Sequence, residues 1–194
     1  IVNAPVLPRS SAGLRDVGLV VKCPPVPQAG RRPWEYGRVD DFLPDTRGGR
    51  ITMLQGGWDD ERMVSLYRAC DVYVQASYGE AFGLAAVEAA ACGKPVITTN
   101  WGTAGEIFDR DSAYLVDYDL VDADAFAYDW PQPASPAKSP PKMAKPRVES
   151  LAAAMRLAYE DATLRKRKGE AALAAVRPLT WEATAWGLIR ALAD

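Results

Sequence analysis

The stretch of residues 71–99 constrains the fold more than any other part of the chain. Residues 71–76 predict a short buried strand, and residues 84–92 predict a buried helix because they are almost wholly apolar and rich in alanine. Gly93 stands where a helix C-terminus favours φ > 0, and Pro95 stops the helix before the next strand. Strand, glycine-rich turn, helix and strand form a βαβ unit, which predicts an α/β fold with a parallel sheet and flanking helices.

Two carboxylates in this unit point to a ligand. Glu88 is the only charged residue of its helix, and a buried carboxylate needs donors or a ligand. Glu80 lies just before the helix N-terminus, whose unpaired N–H groups and positive dipole suit a phosphate. Gly83 has no side chain to block a ligand, and open α/β sheets bind ligands at the carboxyl ends of their strands. A sugar joined to a nucleoside diphosphate presents the matching hydroxyls and anion. The alternative, in which Glu88 pairs with a lysine or arginine and the turn binds nothing, stays open.

A family resemblance supports the ligand. Residues 79–88, followed by residues 93–97, resemble the E-x7-E motif of retaining GT-B glycosyltransferases, the large "group 1" family that uses nucleotide-sugar donors. The resemblance extends from about residue 16 to the C-terminus, with further similar blocks at 66–72, 99–101 and 113–116. It implies a Rossmann-like fold that forms the second half of a GT-B enzyme.

The resemblance also implies residue roles. Glu88 would accept hydrogen bonds from the ribose hydroxyls, and Glu80, the catalytic candidate, would contact hydroxyls of the transferred sugar. The neighbouring backbone would hold the sugar and the diphosphate, through Gly79, Ala81, Phe82, Gly83, Leu84 and Ala85. Four further candidates are Lys22 near the donor phosphates, Gln55 and Gly56 near the nucleobase, and Trp101 as a pocket wall. The alternative for Lys22 is a solvated strand end, and the alternative for Trp101 is a place in the core.

Two parts of a GT-B enzyme have no counterpart in this sequence. One is the N-terminal acceptor domain, and the other is the opening strand of the donor domain, which is central in the strand order 3-2-1-4-5-6. Either the strand that ends at Lys22 pairs directly with the strand at residues 72–74, or another segment or chain fills the gap between them. The resemblance therefore implies the donor-binding part of a retaining glycosyltransferase, inactive alone. The alternatives are a nucleotide-sugar epimerase-like half and a non-catalytic assembly module.

Composition excludes several other functions. The 194 residues contain no histidine, which removes Ser-His-Asp and Cys-His catalysis and histidine metal ligands. A net charge of −2 argues against nucleic-acid binding. The three cysteines, each in an apolar context, predict buried free thiols in a reducing compartment. We expect no metal and no cofactor, and a cytoplasmic location with the membrane surface as a further candidate.

The predicted boundaries divide the chain into four parts. Residues 1–15 are an irregular lead-in, and residues 16–128 form the nucleotide-sugar-binding core. Residues 129–147 are rich in proline and basic residues, which predicts a surface loop without helix or strand. A solvated insertion is the favoured interpretation of this loop, and binding of an acidic acceptor or a lipid headgroup is the alternative. Residues 148–194 form helices of the same domain.

Smaller patterns predict local features. Strands are expected at 17–22 and 50–54, with a last sheet strand at 114–116. Asp59 and Thr180 are expected helix caps. Thr103 and Glu106 have capping-box spacing, the run 165–168 is expected to be solvated, and the apolar face of the final helix is expected to lack a partner. An apolar helical pattern assigns four residues to the core rather than to a site: Met63, Leu66, Tyr67 and Cys70.

Overall fold

The computed structural model describes residues 18–23, 50–55, 57–122 and 141–193. The chain divides into two units, Ile1–Met63 and Val64–Asp194. In the first unit, β1 (Gly18–Cys23) pairs in parallel with β2 (Arg50–Gln55), in the register Gly18 to Arg50. The expected lead-in and the link between these two strands, residues 24–49, lie outside the described residues.

The predicted βαβ unit is present in the second unit. Strand β3 (Tyr73–Gln75) leads through a turn into a helix at Leu84–Ala91, and β4 (Val96–Thr99) follows. With β5 (Ala113–Val116), these strands form a parallel sheet in the order β3-β4-β5. The strands β1 and β3 therefore have their partners in separate sheets, so the described strands do not show the direct pairing that was one of the two alternatives.

Seven strands and six helices are found in the described part of the chain. The helices are α1 (Asp60–Ala69), α2 (Leu84–Ala91), α3 (Thr103–Ile107), α4 (Val148–Glu160), α5 (Ala162–Val176) and α6 (Trp181–Ala193). None of them is long and apolar enough to cross a bilayer.

The core lies on both faces of the parallel sheet, because successive side chains of a strand point to opposite faces. Val96 of β4 packs with alanines of α2 and α5, while the next residue, Ile97, packs with Leu151 and Ala158 of α4. Every residue of β4 is buried, as expected for a parallel strand covered on both faces. The α/β fold with a parallel sheet and flanking helices is confirmed.

The ends of α2 follow the predicted glycine pattern. Gly93 has φ of 72°. Its N–H donates to Ala90 O at 2.8 Å, and the Lys94 N–H donates to Ala89 O at 3.0 Å, which is a Schellman motif. Gly169 of α5 packs so closely on this end that an added Cβ would lie 2.5 Å from the Gly93 carbonyl oxygen.

The proline-rich stretch contains a strand that the sequence did not predict. Strand β7 (Lys142–Pro146) pairs in antiparallel register with β6 (Tyr118–Asp122). The prediction of no regular structure up to residue 147 is therefore wrong for this segment. Its single proline is the last residue of the strand, where a missing N–H costs little pairing.

The helix caps give mixed outcomes. Asp59 accepts the Arg62 N–H at 2.9 Å, and the Thr180 hydroxyl accepts the Ala183 N–H at 3.1 Å, so both expected caps are confirmed. The capping box of Thr103 and Glu106 is wrong, because Gly102 is the N-cap of α3 and no side chain caps it.

Burial departs from the sequence expectations at Lys168 and at two cysteines, and it agrees with them in α6. Lys168 in the run 165–168 is only 6% exposed, because its ammonium donates to the carbonyl oxygens of Arg110 and Ala113. Cys70 and Cys92 are free thiols as expected, yet they are half-buried rather than buried. Every described residue of α6 is exposed, including Trp181 at 90%, which agrees with the expected unpartnered apolar face.

Candidate functional site

The turn between β3 and α2, residues 77–83, is here named the glutamate turn. Hydrogen bonds from three different elements hold its backbone. The donors are the Thr99 hydroxyl to Ser77 O at 2.9 Å, the Thr103 hydroxyl to Ala81 O at 2.8 Å, and the Ala144 N–H to Tyr78 O at 2.8 Å. Since β4, α3 and β7 each contribute one donor, the turn has a defined shape before any ligand arrives.

The turn ends in an uncapped helix N-terminus. Gly83 is the N-cap of α2 with φ of 79°, and it makes no side-chain cap bond. Its carbonyl oxygen accepts from the N–H groups of both Ala86 and Val87, at 2.9 and 3.2 Å. Among the described residues, the N–H groups of Leu84 and Ala85 have no acceptor. Two free donors at the positive end of a helix dipole suit an anion such as a phosphate.

Glu80 lies in this turn with an exposed side chain. The Gln75 amide nitrogen donates to Glu80 Oε2 at 3.0 Å, and the Gln75 amide oxygen accepts from the Tyr73 hydroxyl at 3.3 Å. Tyr73 and Gln75 both belong to β3, so the strand that leads into the turn also holds its carboxylate.

Glu88 lies in the middle of α2 and is exposed, so the expectation that it is buried is wrong. The helix buries its alanine face, including Ala86 and Ala89, and leaves Glu88 on the other side. Tyr67 of α1 donates its hydroxyl to Glu88 Oε2 at 2.8 Å. Tyr67 is buried as predicted, but the conclusion that it is no part of a site is incomplete, because its hydroxyl holds Glu88.

Tyr67 and Tyr73, which hold Glu88 directly and Glu80 through Gln75, are in contact with each other. Their rings meet edge to face, with centroids 5.9 Å apart and planes at 76°. Burial, followed by the negative charges of Glu80 and Glu88, raises the pKa of Tyr73 to about 12. Burial and the hydrogen bond to Glu88 raise the pKa of Tyr67 above its usual range. Both phenols therefore stay protonated at neutral pH and act as donors, and both carboxylates act on the same phenol, that of Tyr73.

No described lysine or arginine forms an ion pair with either glutamate. The alternative in which Glu88 is neutralised by a neighbouring cation is therefore not seen in the described part of the chain. Exposed carboxylates held by neutral donors still have oxygens that can accept hydrogen bonds from hydroxyl groups of a ligand.

The remaining predicted positions of the second unit lie in the glutamate turn, at the start of α2 and just after β4. Phe82 and Leu84 are 42% and 64% exposed beside the helix N-terminus. Gly79 is exposed, and an added Cβ there would lie 3.9 Å from Met143 Cε of β7. Trp101 is 36% exposed and packs edge to face on Tyr118, with ring centroids 5.2 Å apart. Trp101 is therefore a surface aromatic rather than a core residue.

Lys22, Gln55 and Gly56 belong to the first unit. Lys22 near the end of β1 places its ammonium 5.4 Å from the centroid of the Trp58 ring, in cation–π geometry. Gln55 ends β2 and stands in register with Cys23. Gly56 lies outside the described residues. The proposed contacts of these residues with a donor stay predictions.

Sequence reasoning missed three residues of the site: Tyr67, Tyr73 and Gln75. A polar residue at the end of a buried strand was the available signal for Gln75, and the polar hydroxyl on an apolar helix face was the signal for Tyr67. Among the residues that the structure describes, no cluster of histidine, cysteine, aspartate or glutamate could hold a metal ion.

Solved structures with the same fold define the class. Sucrose-phosphate synthase from Thermosynechococcus elongatus superposes with a TM-score of 0.64 at 26% identity, over 90% of this chain and 37% of that one. HepE of Anabaena, in complex with UDP-glucose, superposes with a TM-score of 0.52 at 21% identity, over 80% of this chain and 35% of its own. The fold is that of a GT-B glycosyltransferase, of which this chain is a C-terminal-like part.

Sequence comparison then gives the family. Residues 48–129, which contain the glutamate turn and all of α2, match the family of glycosyl transferases group 1. The D-inositol 3-phosphate glycosyltransferase of Rhodococcus jostii (strain RHA1) is 45% identical over 69 residues, which are 35% of this chain and 15% of that protein. The enzyme of the same description from Mycolicibacterium smegmatis is 35% identical over 119 residues, 60% of this chain and 27% of that protein. The chain thus spans about a quarter or less of the length of these curated relatives.

Proposed function

We propose that this chain is the donor-binding part of a glycosyltransferase, which transfers a sugar from a nucleotide-sugar to an acceptor with retention of configuration. The observation that carries the proposal is the uncapped N-terminus of α2, with two exposed and hydrogen-bonded glutamates beside it. The match of this segment to the group 1 family supports the same function.

Each part of the site has a role in the proposal. The free N–H groups of Leu84 and Ala85 bind the diphosphate, and the helix dipole stabilises the charge that develops on it as the sugar leaves. Glu88 accepts hydrogen bonds from the ribose hydroxyls, and Glu80 accepts them from the transferred sugar. Charge-assisted hydrogen bonds of this kind are about twice as strong as neutral ones.

The proposal extends to the partners of the site. The acceptor is bound by a separate N-terminal domain or another chain, and no metal takes part in the chemistry. Trp101 forms a wall of the pocket. The compartment is the cytoplasm, with the membrane surface as the place where a lipid-linked acceptor would be met.

Titration calorimetry of the 194-residue chain tests the donor site. UDP-glucose is the first probe, because HepE of Anabaena is known in complex with it, and GDP- and ADP-linked sugars complete the panel. Glu88→Gln removes the charge and leaves an oxygen for the Tyr67 hydroxyl. Since hydrogen bonds to charged groups contribute about 1.5–3 kcal/mol, we expect the affinity to fall roughly tenfold or more.

Glu149→Gln is the matched control, because Glu149 is exposed in the first turn of α4 and its charge should not affect donor binding. Equal affinity of the wild type and Glu88→Gln would contradict the role of Glu88. Absence of binding for every nucleotide-sugar would indicate a non-catalytic assembly module instead.

A turnover assay tests the proposed division of labour. Without an acceptor site, the 194-residue chain should bind a donor and release no glycosylated product. Normal turnover by this chain alone, measured with D-inositol 3-phosphate and sugar phosphates as trial acceptors, would refute the proposal that it is only the donor-binding part.

A further inference from the structure

Gln75 is a buried polar side chain that the proposed donor contacts do not use. Its side chain is only 7% exposed at the end of β3, and burial of an amide is costly unless its polar atoms are bonded. Both polar atoms of this amide are bonded, since the oxygen accepts from the Tyr73 hydroxyl and the nitrogen donates to Glu80 Oε2. The amide therefore connects the sheet to the exposed carboxylate of the glutamate turn.

The chemistry of the two partners fixes the orientation of this amide. An ionised carboxylate only accepts hydrogen bonds, so the amide NH2 group must face Glu80. The Tyr73 phenol is protonated and donates, so it requires the amide oxygen on its side. A flipped amide would place two acceptors against each other at Glu80 and would leave the phenol without an acceptor. Tyr73 thus determines which end of Gln75 faces the turn.

Gly83, the N-cap of α2, lies against the hydrogen-bonded pair of Gln75 and Glu80. An added Cβ there would lie 3.4 Å from Gln75 Nε2 and 3.4 Å from Glu80 Cγ, so the bonded pair lies directly against the N-cap. The amide holds one oxygen of the carboxylate, Oε2, and no described residue bonds the other. A fixed carboxylate with one open oxygen suits a single hydroxyl placed next to a bound diphosphate.

We infer that Gln75 is a positioning residue for Glu80: its amide, oriented by Tyr73, holds one carboxylate oxygen and leaves the other for a hydroxyl of the donor's sugar. This inference rests on the proposed function and adds a specific consequence. Gln75 should affect binding of the sugar and not of the nucleotide, and it should do so only through Glu80.

A double-mutant cycle tests that consequence. UDP-glucose and UDP are each titrated into the wild type, Gln75→Met, Glu80→Ala and the double variant, with folding verified by circular dichroism. Methionine keeps the length of the side chain and removes both polar atoms. Each single variant should bind UDP-glucose about tenfold more weakly and UDP as the wild type does, because one charge-assisted hydrogen bond is lost. In the Glu80→Ala background, Gln75→Met should cause no further loss.

The outcomes separate the inference from the proposed function. If Glu80→Ala weakens UDP-glucose binding and Gln75→Met does not, the inference is wrong and the donor site stands. If Gln75→Met weakens UDP and UDP-glucose equally, or weakens UDP-glucose equally in both backgrounds, Gln75 has only a structural role. If Glu80→Ala has no effect on UDP-glucose, the proposed role of Glu80 is wrong.

A measurement without ligand decides the contact itself. The chain has four glutamines, so the side-chain amide signals of Gln75 in a nitrogen-15 spectrum can be assigned from their loss in Gln75→Met. These signals should shift in Glu80→Ala and in Tyr73→Phe, and should keep their position in the Glu149→Gln control. Gln75 signals that are unchanged by Glu80→Ala would overturn the inference even if no nucleotide-sugar binds.

Discussion

Replacing Gly83 by alanine separates the backbone role of this glycine from its place in the site, because Gly93 offers a matched control. The two glycines cap opposite ends of α2 with nearly equal φ, 79° and 72°. For an L-residue the left-handed region costs roughly 1–2 kcal/mol, and the lower entropy of the unfolded alanine chain offsets about 0.4–1 kcal/mol of this. Each variant should therefore lose about 1 kcal/mol in the free energy of unfolding.

The surroundings of the two glycines differ. A Cβ at Gly93 meets nothing within 4 Å, whereas a Cβ at Gly83 lies 3.4 Å from Gln75 Nε2 and 3.4 Å from Glu80 Cγ, at the short limit of ordinary van der Waals contact. Because this Cβ touches the hydrogen-bonded pair of Gln75 and Glu80, Gly83→Ala alone should weaken UDP-glucose binding, by up to about tenfold. Urea unfolding followed by circular dichroism measures the stability, and calorimetry measures the affinity. An equal loss of affinity in both variants, or none in Gly83→Ala, would refute the assignment of this site.

Three further predictions concern stability. Gly169→Ala should destabilise the chain by about 2 kcal/mol or more in urea unfolding, because its Cβ would lie 2.5 Å from a backbone oxygen, while Gly187→Ala on exposed α6 should be nearly neutral or stabilising. Lys168→Met should lower the free energy of unfolding by about 1–3 kcal/mol, because two carbonyl oxygens lose their donor. A loss below about 0.5 kcal/mol, the usual range of surface substitutions, would show that the ammonium is not needed there. The pKa of Tyr73 is raised from 10.0 to about 12 in the folded chain. The stability that the protonated phenol contributes should therefore be complete below pH 10.0 and lost as the pH rises through about 12. Tyr73→Phe should remove this part of the pH dependence of the free energy of unfolding.

The sequence predicted an element correctly where the residues that determine it are neighbours in the chain. The βαβ unit, the left-handed Gly93 and the caps at Asp59 and Thr180 each depend on neighbours in sequence, so the sequence was sufficient for them. Strand β7 was missed because the residues of its pairing partner, β6, lie 20 to 28 positions earlier in the chain, and the prolines around β7 dominate the local pattern. The buried Lys168 was missed for the same reason, since its acceptors come from residues 55 and 58 positions away.

The two glutamates were found from the sequence: Glu88 is the only charged residue of an apolar helix, Glu80 lies just before its N-terminus, and a family motif supports both. The residues that hold these glutamates were not found. Tyr67 follows an apolar helical pattern, which predicts burial and gives no indication of where the hydroxyl points. Its acceptor, Glu88, is 21 positions away, and the contact exists only after α1 and α2 pack together. Periodicity assigns a residue to a face of an element, while its polar atom finds a partner through tertiary packing.

The way the glutamate turn is held explains why a loop can serve as a precise site. Its backbone receives donors from β4, α3 and β7, and its carboxylate receives one from β3, so no single neighbouring element fixes it alone. Loss of one donor should therefore shift the turn and Glu80 with it, while the free energy of unfolding falls only a little. Thr103→Val, which removes only the bond to Ala81, should weaken UDP-glucose binding severalfold while the free energy of unfolding falls by about 1 kcal/mol. If this variant loses stability without losing affinity, the turn is held for folding, and the preorganisation of Glu80 lies in Gln75 alone.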